Sequence, residues 1–239
     1  MNNFRKMGII CLTVGAVLIM SALLLLVHNH MEDKRAAEAV EQVMPEIREF
    51  ITAKAAERQQ MQETQELPEV QEDVPDMTES LEEAEAPGGA EEPAEEKVDV
   101  SALSEPKKKM TVEEIAGYGY VGILTIPSLG LDLPIMDECT DSNLTLAPCR
   151  YHGSLQEDNL VIAGHNYRHH FGNLSSLAVG DSMTFTAMDG SVYTYEVGAV
   201  EVLASTAVDE MNNSEWELSL YTCTYRGSER ITVRCALVK

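Results

Sequence analysis

The stretch SMTFTAMDGSVYTYEV, residues Ser182–Val197, decides the fold class of the C-terminal half of this chain. Apolar and polar residues alternate on both sides of Asp189-Gly190, a dipeptide typical of tight two-residue turns. The stretch therefore predicts two antiparallel strands joined by a β-hairpin turn.

Other short runs around this hairpin have the composition of strands. They are rich in β-branched and aromatic residues, which pack well in sheets, and lie at 120–126, 158–163, 200–203, 218–222 and 231–238. Many short strands at this spacing predict one closed or nearly closed β-barrel. Helical pattern is sparse here, with a short helix expected at 112–116 and a turn at 171–177.

The N-terminus carries an uncharged apolar stretch at 7–27. A helix of that length spans about 30 Å, the thickness of a bilayer core. Arg5 and Lys6 precede the stretch and favour a cytoplasmic N-terminus. A cleaved signal peptide is the alternative, but it would have a shorter apolar region followed by a small-x-small site. We expect residues 1–30 to be a cytoplasmic tip and membrane anchor, with the remainder outside the cell.

Residues 31–60 show apolar positions at three- and four-residue steps, which suits an amphipathic helix: Val40, Val43, Ile47 and Phe50. Pro45 interrupts the pattern and predicts a kink or two shorter helices. We expect a solvated helical stalk.

The net charge of −23 is concentrated in one segment, with 16 acidic residues between Gln60 and Glu105 against the single basic Lys97. A segment rich in Glu, Pro and Ala cannot bury enough apolar surface to offset its ordering entropy. Residues 61–109 are therefore predicted to be a disordered acidic linker, followed by a folded domain at 110–239. The acidic balance argues against nucleic-acid binding.

The chain has five cysteines and no C-x-x-C motif, which disfavours a zinc ribbon or a thioredoxin-like redox site. Cys11 lies in the apolar stretch, and Cys235 is expected to be a core residue of the last strand. Whether Cys139 and Cys149 form a disulfide cannot be decided without their separation.

Cys223, His165 and Arg230 lie at predicted strand ends. Individually, a buried cysteine, a turn histidine and an exposed arginine need no functional explanation. Together on one rim of a barrel they form a nucleophile, a proton carrier and a stabiliser of an oxyanion. The backbone N–H of Thr224 is a possible second oxyanion donor, and Thr222 and Thr224 are predicted substrate contacts.

These residues resemble the sortase family, the membrane-anchored cysteine transpeptidases of Gram-positive bacteria. The family signature Thr-Leu-x-Thr-Cys appears as SLYTC at 219–223, and its Gly-His pair as Gly164-His165. Arg230 matches the family's arginine, with Arg226 and Arg234 as competitors. Further matches are the stretch GILTIPSLGLDLPI at 122–135, Phe171, Leu174, Leu177 and Gly180-Asp181.

The resemblance implies a closed eight-stranded β-barrel with short helices and a cysteine transpeptidase activity. Cys223 would attack an LPxTG-like sorting signal of a surface protein, and an amine from a peptidoglycan precursor or a pilin lysine would resolve the acyl-enzyme. Two alternatives remain: a cysteine peptidase that releases its product to water, and a non-catalytic membrane-tethered surface module.

The subclass follows from what surrounds the matched motifs. The stretch from Val197 to Leu218 is too short for the class B helical insertion, and no Asp-Pro-aromatic lid motif precedes the barrel. We therefore expect a class A-like or class D-like enzyme without a cofactor. Calcium, known in some class A members, would need a cluster of acids, for which Asp209 and Glu210 are the candidates.

Overall fold

A computed structural model describes residues 2–65, 109–225 and 227–238 of the chain. One long helix precedes a domain built mostly of strands. The helices are α1 (Asn2–Gln65), α2 (Asp141–Leu144) and α3 (Val208–Asn212), and the strands are β1 (Glu113–Ile115), β2 (Tyr118–Ile126), β3 (Leu131–Met136), β4 (Cys149–His152), β5 (Leu160–Ala163), β6 (Ser182–Ala187), β7 (Val192–Ala204), β8 (Leu218–Cys223) and β9 (Glu229–Leu237).

Eight of these strands form a closed barrel. The pairing order runs β2-β3-β4-β5-β8-β9-β7-β6, and pairing of β6 with β2 closes the ring. The short β1 pairs with the start of β2 outside the ring. Most pairs are antiparallel, whereas β3–β4 and β5–β8 are parallel. The predicted closed eight-stranded barrel is confirmed.

The predicted hairpin at 182–197 forms as β6 and β7, with Phe185 opposite Tyr193. Gly190 in the turn has φ +81°, a conformation that glycine adopts without strain. Strand β7 continues to Ala204, so the separate strand expected at 200–203 is its second half. A bulge near Gly198 bends β7, and the Trp216 ring packs so closely on this glycine that a Cβ would lie 2.2 Å from it.

The short helix expected at 112–116 is wrong, because residues 113–115 form strand β1. The following residues Ala116 and Gly117 both have positive φ, at 51° and 82°. This tight turn reverses the chain and pairs β1 with β2, so local backbone geometry overrides a weak helical pattern.

The barrel interior holds the main hydrophobic core. Alternate residues of each strand point inward, as Leu218 and Leu220 do on β8. The largest fully buried side chains of this core include Tyr195, Phe171 and Phe185. The core makes the strands rigid and so determines where their ends, and the residues that follow them, are placed.

A second hydrophobic layer lies outside the barrel, between α1 and the outer face of β2 and β3. Ile47 of α1 is fully buried, and Met44 and Ile51 are 8% exposed. They pack with barrel residues that include Tyr120, Met136 and Cys149. The expected solvated stalk is therefore corrected: residues 31–60 are helical, but one face docks on the barrel.

The amphipathic pattern at Val40, Val43, Ile47 and Phe50 marks the docked face, since all four side chains contact the buried layer. Pro45 lies inside the continuous helix, so the prediction of two separate helices is also wrong. Packing of this apolar face offsets the hydrogen bond that a proline removes.

The first part of α1 is apolar enough and long enough to cross a membrane, and its most apolar window, within 10–61, is not buried by the rest of the structure. The predicted acidic linker at 61–109 falls mostly outside the described residues. Residues 61–65 continue α1, and Lys109 opens the described C-terminal part.

Candidate functional site

Cys223 and Arg230 face each other across the β8–β9 hairpin. They are direct partners in the register, at the last residue of β8 and the second of β9. Because paired residues of neighbouring strands point to the same face, both side chains lie on the outer face of the barrel, opposite to Leu220. Both side chains are partly exposed, so a ligand in solution can reach them.

His165 reaches the same place from β5. Strands β5 and β8 are parallel with Ala163 opposite Tyr221, and the Gly164 N–H donates to the Tyr221 carbonyl at 3.0 Å. Continuing this register by two residues puts His165 level with Cys223. Gly164 is needed because a Cβ there would lie 2.6 Å from the Phe171 ring. The three predicted residues thus meet at one rim, at the ends of β5 and β8 and the start of β9.

The surroundings of His165 favour its neutral form. The half-buried position lowers the pKa of His165, and this effect outweighs the opposing charges of Asp141 and Glu32. A histidine in this state accepts a proton at neutral pH and can deliver it later, as acyl transfer requires.

An aromatic stack that the sequence analysis did not single out supports His165. The Tyr167 ring lies 4.8 Å from the His165 ring and 5.5 Å from the His170 ring. The loop is held by its backbone, since the Phe171 N–H donates to the His165 carbonyl at 3.1 Å. The run HNYRHH at 165–170 is the only signal that the sequence offers for this stack.

His170 is the most unusual member of the stack. Its side chain is fully buried, and neither ring nitrogen makes a hydrogen bond of normal geometry to the described residues, although the Leu146 backbone lies near enough to interact weakly with the ring. Burial lowers the pKa of His170 to about 4, helped by His165 and His169, while the Leu146 backbone and Asp33 oppose the shift. The imidazole is therefore neutral in the folded protein at pH 7.

We predict that His170 makes the protein sensitive to acid. The unfolded chain binds this proton near pH 6.5 and the folded chain only near pH 4, so stability is full above pH 6.5 and falls as the pH drops toward 4. The expected loss is about 3 kcal/mol. Urea unfolding from pH 7 to pH 4 measures it.

The variant His170→Phe keeps an aromatic ring but cannot bind the proton. Its free energy of unfolding should therefore fall less than that of the wild type as the pH drops from 6.5 to 4. His152→Phe, which changes a histidine elsewhere in the domain, is the control. An unchanged slope in His170→Phe would contradict the assignment.

Arg230 is held by the turn that follows Cys223. Its Nη1 donates to the Gly227 carbonyl at 3.0 Å and to the Glu229 carbonyl at 3.1 Å. Nε and Nη2 make no hydrogen bond to the described residues. A guanidinium held on one side, with donors left on the other, suits an oxyanion.

Arg234 has a different environment, in which its guanidinium makes four hydrogen bonds and pairs with a carboxylate. It is 3% exposed, and its guanidinium donates to the Glu201 carboxylate at 2.7 Å and the Ser219 hydroxyl at 2.8 Å. It also donates to the Glu210 and Met211 carbonyls of α3. Arg234 is thus a structural residue that ties α3 to the barrel, whereas Arg226 lies outside the described residues.

The arginine network also explains the residue at position 219. Where the family signature has threonine, Ser219 supplies the hydroxyl that Arg234 uses. Either side chain provides this oxygen, and the serine therefore retains the interaction.

Two predicted contributions from the threonines are not supported by their placement. Thr222 lies on the inward face of β8 with Leu220, away from Cys223, and is 1% exposed. The Thr224 N–H donates to the Glu229 carbonyl at 3.0 Å, so it is used by the hairpin and is not free for an oxyanion. The alternation of side chains and the tight β8–β9 turn account for both corrections.

Tyr221 lies on the outer face with Cys223 and packs edge-to-face on Tyr151, with ring centroids 5.3 Å apart. Burial raises the pKa of Tyr221 well above its usual range, so its hydroxyl keeps its proton. These two rings form an apolar wall beside Cys223 that the sequence analysis did not identify, because the residues lie on different strands.

Cys139 and Cys149 are both free thiols in the structure. They lie close together, because the Cys149 thiol can donate to a Cys139 thiolate and so lowers the pKa of Cys139. Cys235 is buried in the barrel core, as expected.

Asp209 and Glu210, the candidates for a calcium site, lie at the start of α3. Across the described residues, no group of three or more His, Cys, Asp or Glu side chains is placed to hold a metal ion. The prediction that the chain needs no cofactor stays a prediction.

Comparison with known proteins points to one family. Residues 124–238 match a family model described as a sortase domain. Sortase A of Bacillus anthracis is 28% identical over 125 residues, which are 50% of this chain and 53% of that protein. The chain therefore spans about half the length of this curated relative.

Among the solved structures that this chain resembles are two described as sortases. The Clostridium perfringens Sortase D5 transpeptidase is 24% identical, with a TM-score of 0.47, covering 53% of this chain and 83% of that one. Sortase A from Corynebacterium diphtheriae is 22% identical, with a TM-score of 0.46, covering 51% of this chain and 62% of that one.

Proposed function

From the match of residues 124–238 to a sortase domain, we propose that the chain is a sortase-type cysteine transpeptidase. It cleaves an LPxTG-like sorting signal of a surface protein and transfers the acyl group to an amine. The observation that carries the proposal is the direct pairing of Cys223 with Arg230, together with the position of His165 two residues after Ala163, which pairs with Tyr221 of β8.

In the first half-reaction, the Cys223 sulfur attacks the carbonyl carbon of the scissile peptide bond. His165 takes the thiol proton and then gives it to the departing amine. The free donors of Arg230 stabilise the negative oxygen of the tetrahedral intermediate. The products of this step are a thioester on Cys223 and a peptide with a new N-terminus.

In the second half-reaction, an amine attacks the thioester carbonyl and expels the Cys223 thiolate. His165 accepts the amine proton and returns it to the sulfur. The acceptor amine is a peptidoglycan precursor or a lysine of a pilin subunit. Water in place of the amine would give a cysteine peptidase, which is the alternative activity.

The half-buried position of His165 supports this division of roles. Because its pKa is lowered, the neutral base predominates at pH 7. The Tyr221 ring lies on the same face of β8 as Cys223 and packs on Tyr151, which provides an apolar surface beside the thiol for the substrate peptide.

We further propose that α1 anchors the enzyme, with a cytoplasmic N-terminus and an extracellular catalytic domain. The apolar stretch at 7–27 and the preceding positive charges support this orientation. A class A-like or class D-like enzyme is favoured, because the connection from β7 to β8 carries a single helix, the five-residue α3.

The test is to trap and resolve the acyl-enzyme. Full-length protein is incubated with a library of LPxTG-like peptides, and mass spectrometry locates the acyl group. Triglycine is then added. Transfer predicts a triglycine adduct that grows at the expense of the hydrolysed peptide. Hydrolysis unaffected by triglycine or by lysine-containing acceptors would favour the peptidase, and no acylation at all would favour a non-catalytic module.

Arg230→Ala is expected to lower the rate of acyl transfer by a factor of about 10² to 10³, because it removes donors to the oxyanion. The fall should appear in kcat, since the charge develops only in the transition state. Steady-state kinetics with a fluorogenic sorting peptide measure it. A change confined to KM would contradict a role in the transition state.

A further inference from the structure

Three polar contacts join α1 to the barrel domain in the order of the helix sequence. Asp33 accepts the His169 backbone N–H at 3.3 Å, Arg48 pairs with Asp132, and Arg58 contacts Ser191. Between them lies the buried layer around Ile47. The barrel domain is therefore docked alongside α1 at several points. These contacts determine which part of the barrel domain lies nearest the N-terminal apolar stretch.

Distances along the axis of α1 follow from residue numbers, because each residue advances the helix by about 1.5 Å. The apolar stretch ends at Val27, and Asp33 follows about 9 Å further along the axis. Arg58 lies about 46 Å beyond Val27. The loop at 165–170 is thus the part of the domain near the apolar stretch, and the β6–β7 turn is far from it.

A cleft at this near end contains both helix and loop residues. It is lined by Asn29, Asp33, Asn166, Tyr167, Arg168 and Tyr225. Asn29 is only about 3 Å beyond Val27, while the headgroup layer on each side of a bilayer core is about 5 to 8 Å thick. If residues 7–27 span the core, the cleft opens at the level of the headgroups.

The exposed residues of the cleft have the chemistry of a membrane interface. Tyr225 is 93% exposed, and tyrosine is enriched where apolar core and water meet. Arg168 is exposed and carries a positive charge that suits lipid phosphates. Tyr225 follows Cys223 by two residues, and Arg168 follows His165 by three, so the same loops that hold the candidate site carry these groups.

We infer that the phospholipid headgroup layer is a binding partner of this end of the barrel, contacted by Tyr225 and Arg168 while α1 spans the bilayer. The inference rests on the proposed membrane anchor. It places the rim that carries Cys223 at the membrane surface. The enzyme would then take a sorting peptide close to the membrane.

Tryptophan quenching in vesicles tests the inference. Full-length protein is placed in vesicles of phosphatidylcholine and phosphatidylglycerol that carry a nitroxide on the headgroup. The native Trp216 is replaced by Phe, and a single tryptophan is introduced as Tyr225→Trp or, for the control, Val192→Trp. Val192 is 63% exposed and directly follows Ser191, which contacts Arg58. It therefore lies far from the apolar stretch at 7–27, measured along the axis of α1.

In Tyr225→Trp the indole emission is expected to be strongly quenched, since the ring would lie in the headgroup layer, whereas in Val192→Trp the emission is retained. Ile47→Asp, which places a charge in the layer under α1, should remove this difference between the two positions. If Trp216→Phe does not fold, Trp216 is kept and its own quenching is subtracted.

Equal quenching at both positions, or none at either, in protein that remains in the vesicles would overturn the inference and leave the anchor intact. Protein that washes off the vesicles in high salt would overturn the anchor and the inference together. Neither result bears on acylation of Cys223, which is measured separately with soluble peptides.

Discussion

Cys223→Ala is expected to reduce acyl transfer by a factor on the order of 10⁴ to 10⁶, because it removes the sulfur that forms the thioester. The change removes one sulfur from a partly exposed strand end and leaves the barrel core intact. Transfer of a fluorescent sorting peptide to triglycine, followed by chromatography, measures the loss. The same variant should give no acyl-enzyme in the mass spectrum.

Cys139→Ala is the matched control, since Cys139 is also a partly exposed free thiol outside the barrel core. It should retain transfer activity within a few-fold and still be acylated at Cys223. Substantial transfer by Cys223→Ala would disprove the assignment of the nucleophile. Loss of activity in Cys139→Ala but not in Cys223→Ala would assign the nucleophile to Cys139.

Arg234→Ala is expected to lower the free energy of unfolding by about 2 to 4 kcal/mol, because several buried acceptors lose their hydrogen-bond donor. The Arg234 guanidinium joins Glu201, Ser219 and α3, and alanine would leave the buried Ser219 hydroxyl and two α3 carbonyls without their donor, whereas the Glu201 carboxylate is 42% exposed and can be solvated. Urea unfolding followed by far-UV circular dichroism measures the change.

Arg230→Ala is the matched control for Arg234→Ala, because Arg230 lies four residues from Arg234 on the same face of β9. Its two hydrogen bonds are exposed, so Arg230→Ala should change the free energy of unfolding by less than about 1 kcal/mol. Arg234→Ala should lose stability, and Arg230→Ala should lose activity. The opposite pattern would exchange the roles proposed for the two residues.

The distinction between these arginines shows what a sequence leaves open. Both lie on the same side of the strand, and the motif match alone favours Arg230. What separates them is the position of α3 and Glu201, which come from elsewhere in the chain and surround only Arg234. Neighbours distant in sequence decide whether a guanidinium is structural or available.

The long helix illustrates the same limit. The three- and four-residue spacing identified the apolar face around Ile47, but it did not show what covers that face. The structure places the outer face of β2 and β3 against it and turns an expected stalk into a docked support. Periodicity determines which side of a helix is apolar, whereas its partner depends on the whole fold.

By itself, the sequence determined the hairpin at 182–197, the strand-rich domain and the motifs around His165 and Cys223, because turn chemistry and alternation act over a few residues. Tertiary structure alone decided the closure of the barrel by β2 and β6, the inward placement of Thr222 and the stack of His165, Tyr167 and His170. These features depend on packing and register between segments far apart in the chain, which no local pattern encodes.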